Sequence, residues 1–129
     1  MASFAELKRF GLALPGVEEY RHLGQPALRA NARMFALWWP PEKTTIMKLE
    51  REHQHMLFEV RPEVFAPCKV GTGTWSYVDI GKLTPRELKA LVTEAWMQVA
   101  SKTQSRAFLA LRSVWRRARS AAGSRPDRR

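Results

Sequence analysis

The stretch that decides the fold is VEEYRHLGQPALRANARMFALWWPPEKTTIMKL, residues 17–49, in which short strand-like runs alternate with turn-forming residues. Turn signals occur at the Gly-Gln-Pro of 24–26, the Asn-Ala of 31–32 and the Pro-Pro of 40–41. The segment 33–39 is apolar at every position after the first, which predicts a central strand covered on both faces. We therefore expect an antiparallel meander here.

Helical patterns lie on either side of this meander. A capping box at Ser3 and Glu6 begins a helix predicted to run to Ala13, and Thr84 with Glu87 begins a second one. The second helix carries one apolar stripe at helical spacing: Leu88, Leu91, Val92, Ala95, Trp96 and Val99. The sequence predicts an α+β fold, an antiparallel sheet flanked by helices.

The net charge of +10 is concentrated at the C-terminal end of the chain. Residues 1–101 hold 13 Lys and Arg against 11 Asp and Glu, whereas residues 102–129 hold 9 against 1. We interpret 1–101 as one domain, 102–119 as an extra basic amphipathic helix, and 120–129 as a disordered basic tail. Such a distribution favours a polyanionic partner such as DNA.

The candidate nucleic-acid contacts fall into two groups. In the basic helix, three arginines recur at i, i+4 and i+7, which places them on one face. Aromatic rings on a sheet can stack on bases, although core packing is the favoured interpretation of most of them. The helix candidates are Arg106, Arg112, Arg116, Arg117 and Arg119, and the sheet candidates are Arg29, Arg33, Lys48, Trp75 and Tyr77.

The glycine-rich run GTGTWSYVDI, residues 71–80, has two interpretations, a phosphate-binding loop and a turn before a strand. A phosphate loop leads into a helix whose first amides face the anion, and usually adds a Lys and a hydroxyl after the last Gly. Here the alternating β-branched and aromatic residues from Trp75 to Ile80 predict a strand instead. The turn is the favoured interpretation.

No set of residues predicts a reaction centre, so we expect a protein that is not an enzyme and that has no cofactor or metal. His53 and His55 share a side only on a strand, and residues 51–60 also fit a short helix, on which the two diverge. The single cysteine, Cys68, excludes an internal disulfide and fits a reducing, cytoplasmic setting. No apolar run approaches the ~20 residues that span a bilayer, so no membrane association is expected.

Residues 4–101 resemble the MmcQ/YjbR family. The resemblance is most specific in Leu-Pro-Gly-Val at 14–17, Arg-Met-Phe-Ala at 33–36, and the strand at Trp75 that precedes a final helix. It implies a compact α+β fold with an antiparallel sheet and flanking helices, likened to a double-wing module, and it implies DNA binding by analogy of fold.

Two features depart from the family pattern. Asn31-Ala32 stands where the family tends to carry glycines, so we expect a wider turn, and the segment from Lys102 extends beyond the usual domain end. The predicted function is non-catalytic binding of nucleic acid by the basic helix, the tail and a sheet face. The alternative is a protein-interaction or homo-oligomerising module, in which Phe108 and Trp115 dock the last helix on a partner or a second copy.

Overall fold

The computed structural model describes residues 2–39, 44–68 and 74–123. It confirms the α+β class, with four helices and one six-stranded antiparallel sheet of order β1-β2-β3-β4-β6-β5. The elements are, in chain order, α1 (Phe4–Leu12), β1 (Val17–His22), β2 (Gln25–Ala30), β3 (Arg33–Trp39), β4 (Thr44–Lys48), α2 (Arg51–Val60), β5 (Phe65–Pro67), β6 (Trp75–Val78), a 3-10 turn (Ile80–Lys82), α3 (Pro85–Met97) and α4 (Lys102–Gly123).

The turn between β2 and β3 is tight, so the expectation of a wider turn is wrong. Ala30 pairs with Arg33, which leaves Asn31 and Ala32 as a two-residue loop with φ of 55° and 62°. Asn enters this left-handed region more readily than most residues. Its side-chain amide also donates to the carbonyl oxygen of Val99 at 2.9 Å, which ties the turn to the end of α3. The Pro-Pro turn at 40–41 lies outside the described residues.

The two faces of the sheet differ in what covers them. Leu28, Ala36 and Met47 form one cross-strand row, and all three belong to the hydrophobic core beneath the helices. The neighbouring row, Leu37 and Ile46 among its members, points to the opposite side, which we call the outer face. β3 is central as predicted, but the described helices all pack on one face of it rather than on both.

Helices α1 and α3 lie on the core face and begin where the capping boxes predicted. The boxes at Ser3 and Thr84 are both formed, each with its partner glutamate three residues on. Gly11 lets α1 approach the sheet closely, because a Cβ at this position would clash with the side chain of Leu28. The apolar stripe of α3 is buried as expected, and Trp96 is fully buried within it.

Helix α2 also lies on the core side, next to β6. Glu50 caps its first turn by accepting from the backbone N–H groups of His53 (2.9 Å) and Glu52 (3.3 Å). The buried Gln54 donates to the carbonyl oxygen of Trp75 (3.0 Å) and to Ser76 Oγ (2.7 Å). These bonds fix α2 against β6. Because residues 51–60 are helical, His53 and His55 point to different sides.

Helix α4 runs to Gly123, past the predicted end at Arg119, so residues 120–123 are helical. Residues 124–129, the rest of the predicted tail, lie outside the described residues. The Phe108 ring packs edge-on against Trp96, with ring centres 5.2 Å apart at 62°. Phe108 therefore anchors α4 on its own domain.

None of the described helices combines the length and the apolar character that crossing a bilayer requires.

Candidate functional site

A groove of about 1030 Å³ separates α3 from α4. Its two walls run antiparallel, since Trp96 contacts Phe108 where the helices meet, and Arg86 and Arg116 both line the groove farther along their helices. Four cations line it, two from each helix: Arg86 and Lys89 from α3, and Arg112 and Arg116 from α4. We call this feature the α3–α4 groove.

The two carboxylates in the α3–α4 groove are engaged in hydrogen bonds inside the protein. Glu94 accepts from the backbone N–H of Glu50 at 2.9 Å, and its other oxygen lies 2.5 Å from His53 Nδ1. The Glu50 carboxylate accepts from the N–H groups of His53 and Glu52, and these bonds lower the pKa of Glu50. The Glu50 carboxylate is therefore ionised near neutral pH, and neither carboxylate forms an ion pair with a groove cation among the described residues.

The cations of the α3–α4 groove have no carboxylate partner within the described part of the chain. Arg86, Lys89, Arg112 and Arg116 are exposed, and the one described contact among them places the Arg112 guanidinium 6.0 Å from the Phe108 ring centre. Counted as Lys and Arg against Asp and Glu, the groove lining carries a formal net charge of +2. The surplus charge predicted for α4 is therefore present on the surface and available to an anion.

Four of the five sheet candidates, Arg29, Lys48, Trp75 and Tyr77, occupy a different surface, the outer face of the sheet. Arg29, on β2, contacts two residues of β1. Its guanidinium lies 4.3 Å from the Tyr20 ring centre and 3.4 Å from a Glu18 oxygen. Burial raises the pKa of Tyr20, and the Arg29 charge opposes this shift. Arg29 is thus largely committed to its neighbours on β1, and it offers little free charge to a ligand.

A small pocket of about 240 Å³ also lies on the outer face. Trp39, Trp75 and Tyr77 line it, and the amine of Lys48 lies 5.8 Å from the Trp75 ring centre. The prediction that some rings lie at the sheet surface rather than in the core fits Trp75 and Tyr77, which are half-buried. Cys68 also lines the pocket and is buried and unpaired.

The predicted contacts therefore do not form one surface. The outer face is on the opposite side of the sheet from α3 and α4, so Lys48, Trp75 and Tyr77 are separated from the arginines of α4. Arg33 is exposed and pairs with Ala30, a core-face residue, so its position belongs to the helical side. Arg106 and Arg117 are exposed on α4 outside the groove wall, and the Arg119 side chain lies outside the described part of the structure.

Sequence reasoning missed the contribution of α3 to the groove. Arg86 and Lys89 lie three residues apart on the polar side of a helix, a pattern that a solvated face also produces. The signal that distinguishes them is tertiary, since α4 folds back along this side of α3. Among the described residues, no three His, Cys, Asp or Glu side chains gather as a metal-binding cluster. The glycines at 71 and 73 lie outside the described residues.

Comparison with known proteins identifies the family. A model of the YjbR family matches residues 12–98, from the end of α1 to the end of α3. This chain belongs to the YjbR family. No curated protein matches it significantly. The YjbR match stops before α4, so one wall of the α3–α4 groove comes from the family domain and the other from the added helix.

A solved structure supports the same fold. The crystal structure of the Deinococcus radiodurans protein DR2400, which carries a DUF419 domain, superposes with a TM-score of 0.69. The match covers 83% of this chain and 88% of the other, at 18% sequence identity. At this identity the likeness shows the YjbR-like fold, and the function has to be argued from the site.

Proposed function

We propose that this YjbR protein binds nucleic acid without catalysis, and that the α3–α4 groove holds the phosphates. The observation that carries the proposal is the set of four exposed groove cations, which have no carboxylate partner among the described residues. They lie on two facing walls, so a chain of phosphates between the helices meets positive charge from both sides. We propose a cytoplasmic location, which the free thiol of Cys68 supports.

The proposal makes the salt dependence of binding quantitative. Each neutralised phosphate releases counterions, and log K falls against log salt with a slope of about −0.7 per contact for single strands and −0.9 for duplex DNA. If the four groove cations each engage one phosphate, the total slope is roughly −3 to −4. Raising salt from about 50 to 200 mM then weakens binding by roughly 50- to 150-fold.

Point substitutions test the proposal better than removal of α4. Phe108 packs on the fully buried Trp96, so a chain that ends at Ser101 would uncover that ring and disturb the domain. The test variant changes the four groove cations to Gln. A matched control changes Arg33, Arg51, Arg106 and Arg117 to Gln, which removes the same charge from exposed positions outside the groove.

The expected result is that the groove variant loses most of its affinity for a fluorescent oligonucleotide and that its salt slope approaches zero. The control should keep a slope near that of the unchanged protein, because its cations are not at the proposed site. Equal losses in both variants would mean that overall charge, rather than the α3–α4 groove, attracts the ligand. No binding by the unchanged protein at low salt would refute the proposed function.

The second candidate function, a protein-interaction module, has one observation in its favour. Leu111 and Val114, which lie three residues apart on one side of α4, remain 56% and 52% exposed. Such a helix side can pack against a partner or a second copy of the chain. Sedimentation at micromolar concentration separates the two functions, because a stable dimer or complex that forms without nucleic acid supports the second one.

A further inference from the structure

The α3–α4 groove combines cations with apolar and aromatic side chains. Its lining includes the four cations Arg86, Lys89, Arg112 and Arg116 and four apolar or aromatic residues, Ala90, Met97, Phe108 and Leu111. The two kinds of side chain are close neighbours, since the Arg112 guanidinium lies 6.0 Å from the Phe108 ring centre. A ligand that fits both carries negative charge beside an apolar or aromatic group.

We propose that the α3–α4 groove selects unpaired nucleotides, with the phosphates at the four groove cations and one base against Met97 and Phe108. The inference rests on the proposed function and names the form of nucleic acid that the site takes. Base–aromatic contact is the usual way in which proteins hold single strands, because every base has a flat apolar face. The carboxylates of Glu50 and Glu94 are held by internal hydrogen bonds, so neither needs to be displaced.

The accessibility of a base argues against a duplex as the ligand. Paired bases are stacked inside a duplex, so their flat faces are not open to a side-chain ring. A duplex therefore cannot lay a base on Phe108, which lines the groove between α3 and α4. It can contact the groove cations, whereas an unpaired base can also reach the Phe108 ring. Single strands should therefore gain a contact that duplexes lack.

The experiment compares three probes, with affinities expressed per phosphate: a single-stranded thymidine hexamer, the same hexamer without bases, and a twelve-base-pair duplex. Affinities are measured by fluorescence anisotropy at 50 and 200 mM salt on the full chain. The unchanged protein should bind the hexamer about tenfold more tightly than the abasic hexamer, since one stacked base contributes a factor of this order. The duplex should bind no more tightly per phosphate than the abasic strand.

A substitution inside the groove locates the base contact. Ala90 is exposed and lines the middle of the groove, so Ala90→Leu narrows it without changing the charge. This variant should bring the hexamer-to-abasic ratio close to one, whatever change the narrower groove makes to abasic binding itself. Ala110→Leu, at an exposed position of α4 outside the groove wall, is the matched control and should keep the tenfold ratio. Both substitutions replace one strong helix former with another.

The outcomes separate this inference from the proposed function. If all three probes bind equally and the groove cations control binding, the proposed function holds and selection of unpaired bases is refuted. If the tenfold ratio persists in Ala90→Leu, the base lies elsewhere, and the outer face with Trp75 becomes the place to test. If a short acidic peptide binds as tightly as the hexamer and no probe prefers bases, the site is a peptide groove and both proposals fail.

Discussion

The attachment of α4 to the YjbR domain should depend on Phe108. Its ring contacts Trp96 edge-on at 5.2 Å, and it is half-buried against the core. Asn31 and Gln104 add a hydrogen bond of 2.8 Å between the β2–β3 turn and the first turns of α4. Phe108→Ala removes the ring and keeps this polar contact, so the substitution should loosen α4 without unfolding the sheet.

The magnitude follows from burial. Replacing a fully buried Phe with Ala costs about 3–5 kcal/mol, and Phe108 is partly exposed, so the expected loss lies below this range, at about 2 kcal/mol. An edge-to-face aromatic pair accounts for about 0.5–1.5 kcal/mol of this loss. At about 1.4 kcal/mol per factor of ten, 2 kcal/mol raises the population with α4 detached by roughly 30-fold.

Hydrogen exchange measured by mass spectrometry tests this value. Amides in residues 104–114 of the Phe108→Ala variant should exchange roughly 30-fold faster, whereas amides of β3 and β4 should be unchanged. Leu109→Ala is the control, because Leu109 is 46% exposed and its loss should change exchange little. Oligonucleotide affinity should also fall, although no cation is removed. Unchanged exchange in α4 would show that Phe108 does not hold the helix and would refute this reasoning.

Three further substitutions test other parts of the fold. Ala32→Gly should stabilise the protein by about 0.5–1 kcal/mol. The left-handed conformation costs a non-glycine residue about 1–2 kcal/mol, and the greater entropy of the unfolded chain with Gly offsets part of this relief. A lower midpoint of unfolding in urea would contradict this. Thr45→Val should be neutral or stabilising by about 1 kcal/mol in the same assay, since the buried Thr45 Oγ1 has no hydrogen-bond partner within the described structure. The lowered pKa of Glu50 means that its cap stabilises the fold above the ordinary value of 4.5 and is lost as pH falls through the lowered pKa. The difference in melting temperature between the unchanged protein and Glu50→Gln should accordingly shrink from pH 6 toward pH 3, and a difference that grows on acidification would be inconsistent with this role.

Most of the fold could be predicted from the sequence because its signals are local. Capping boxes at Ser3 and Thr84 mark helix starts through bonds within one turn, and the alternating meander sets the strands. The tight β2–β3 turn was not predicted, because an alanine at position 32 does not favour the left-handed conformation that a two-residue turn needs. The contact that holds it, from Asn31 to the carbonyl of Val99, joins residues far apart in the sequence and leaves no local pattern.

The candidate site was predictable only in part, for the same reason. The spacing of Arg112 and Arg116 places them on one face of α4, and the structure confirms that they share a surface. Nothing in the spacing of Arg86 and Lys89 indicates that α4 will lie beside them. The outer-face residues were grouped with α4 by charge and ring type alone, and such a grouping cannot tell which side of the sheet each strand position faces.

The affinity of the α3–α4 groove for phosphates should depend on α4, because this helix supplies one of its two walls. A YjbR domain that ended near residue 98 would present Arg86 and Lys89 on an open helix surface, where two isolated cations bind phosphate weakly. Adding α4 supplies Arg112 and Arg116 across from them and also the Phe108 ring at the closed end. If the proposed function is correct, detaching α4 should lower the affinity for nucleic acid by more than the loss of its two groove charges alone would do. The reason is that the helix creates the groove as well as supplying half of its cations.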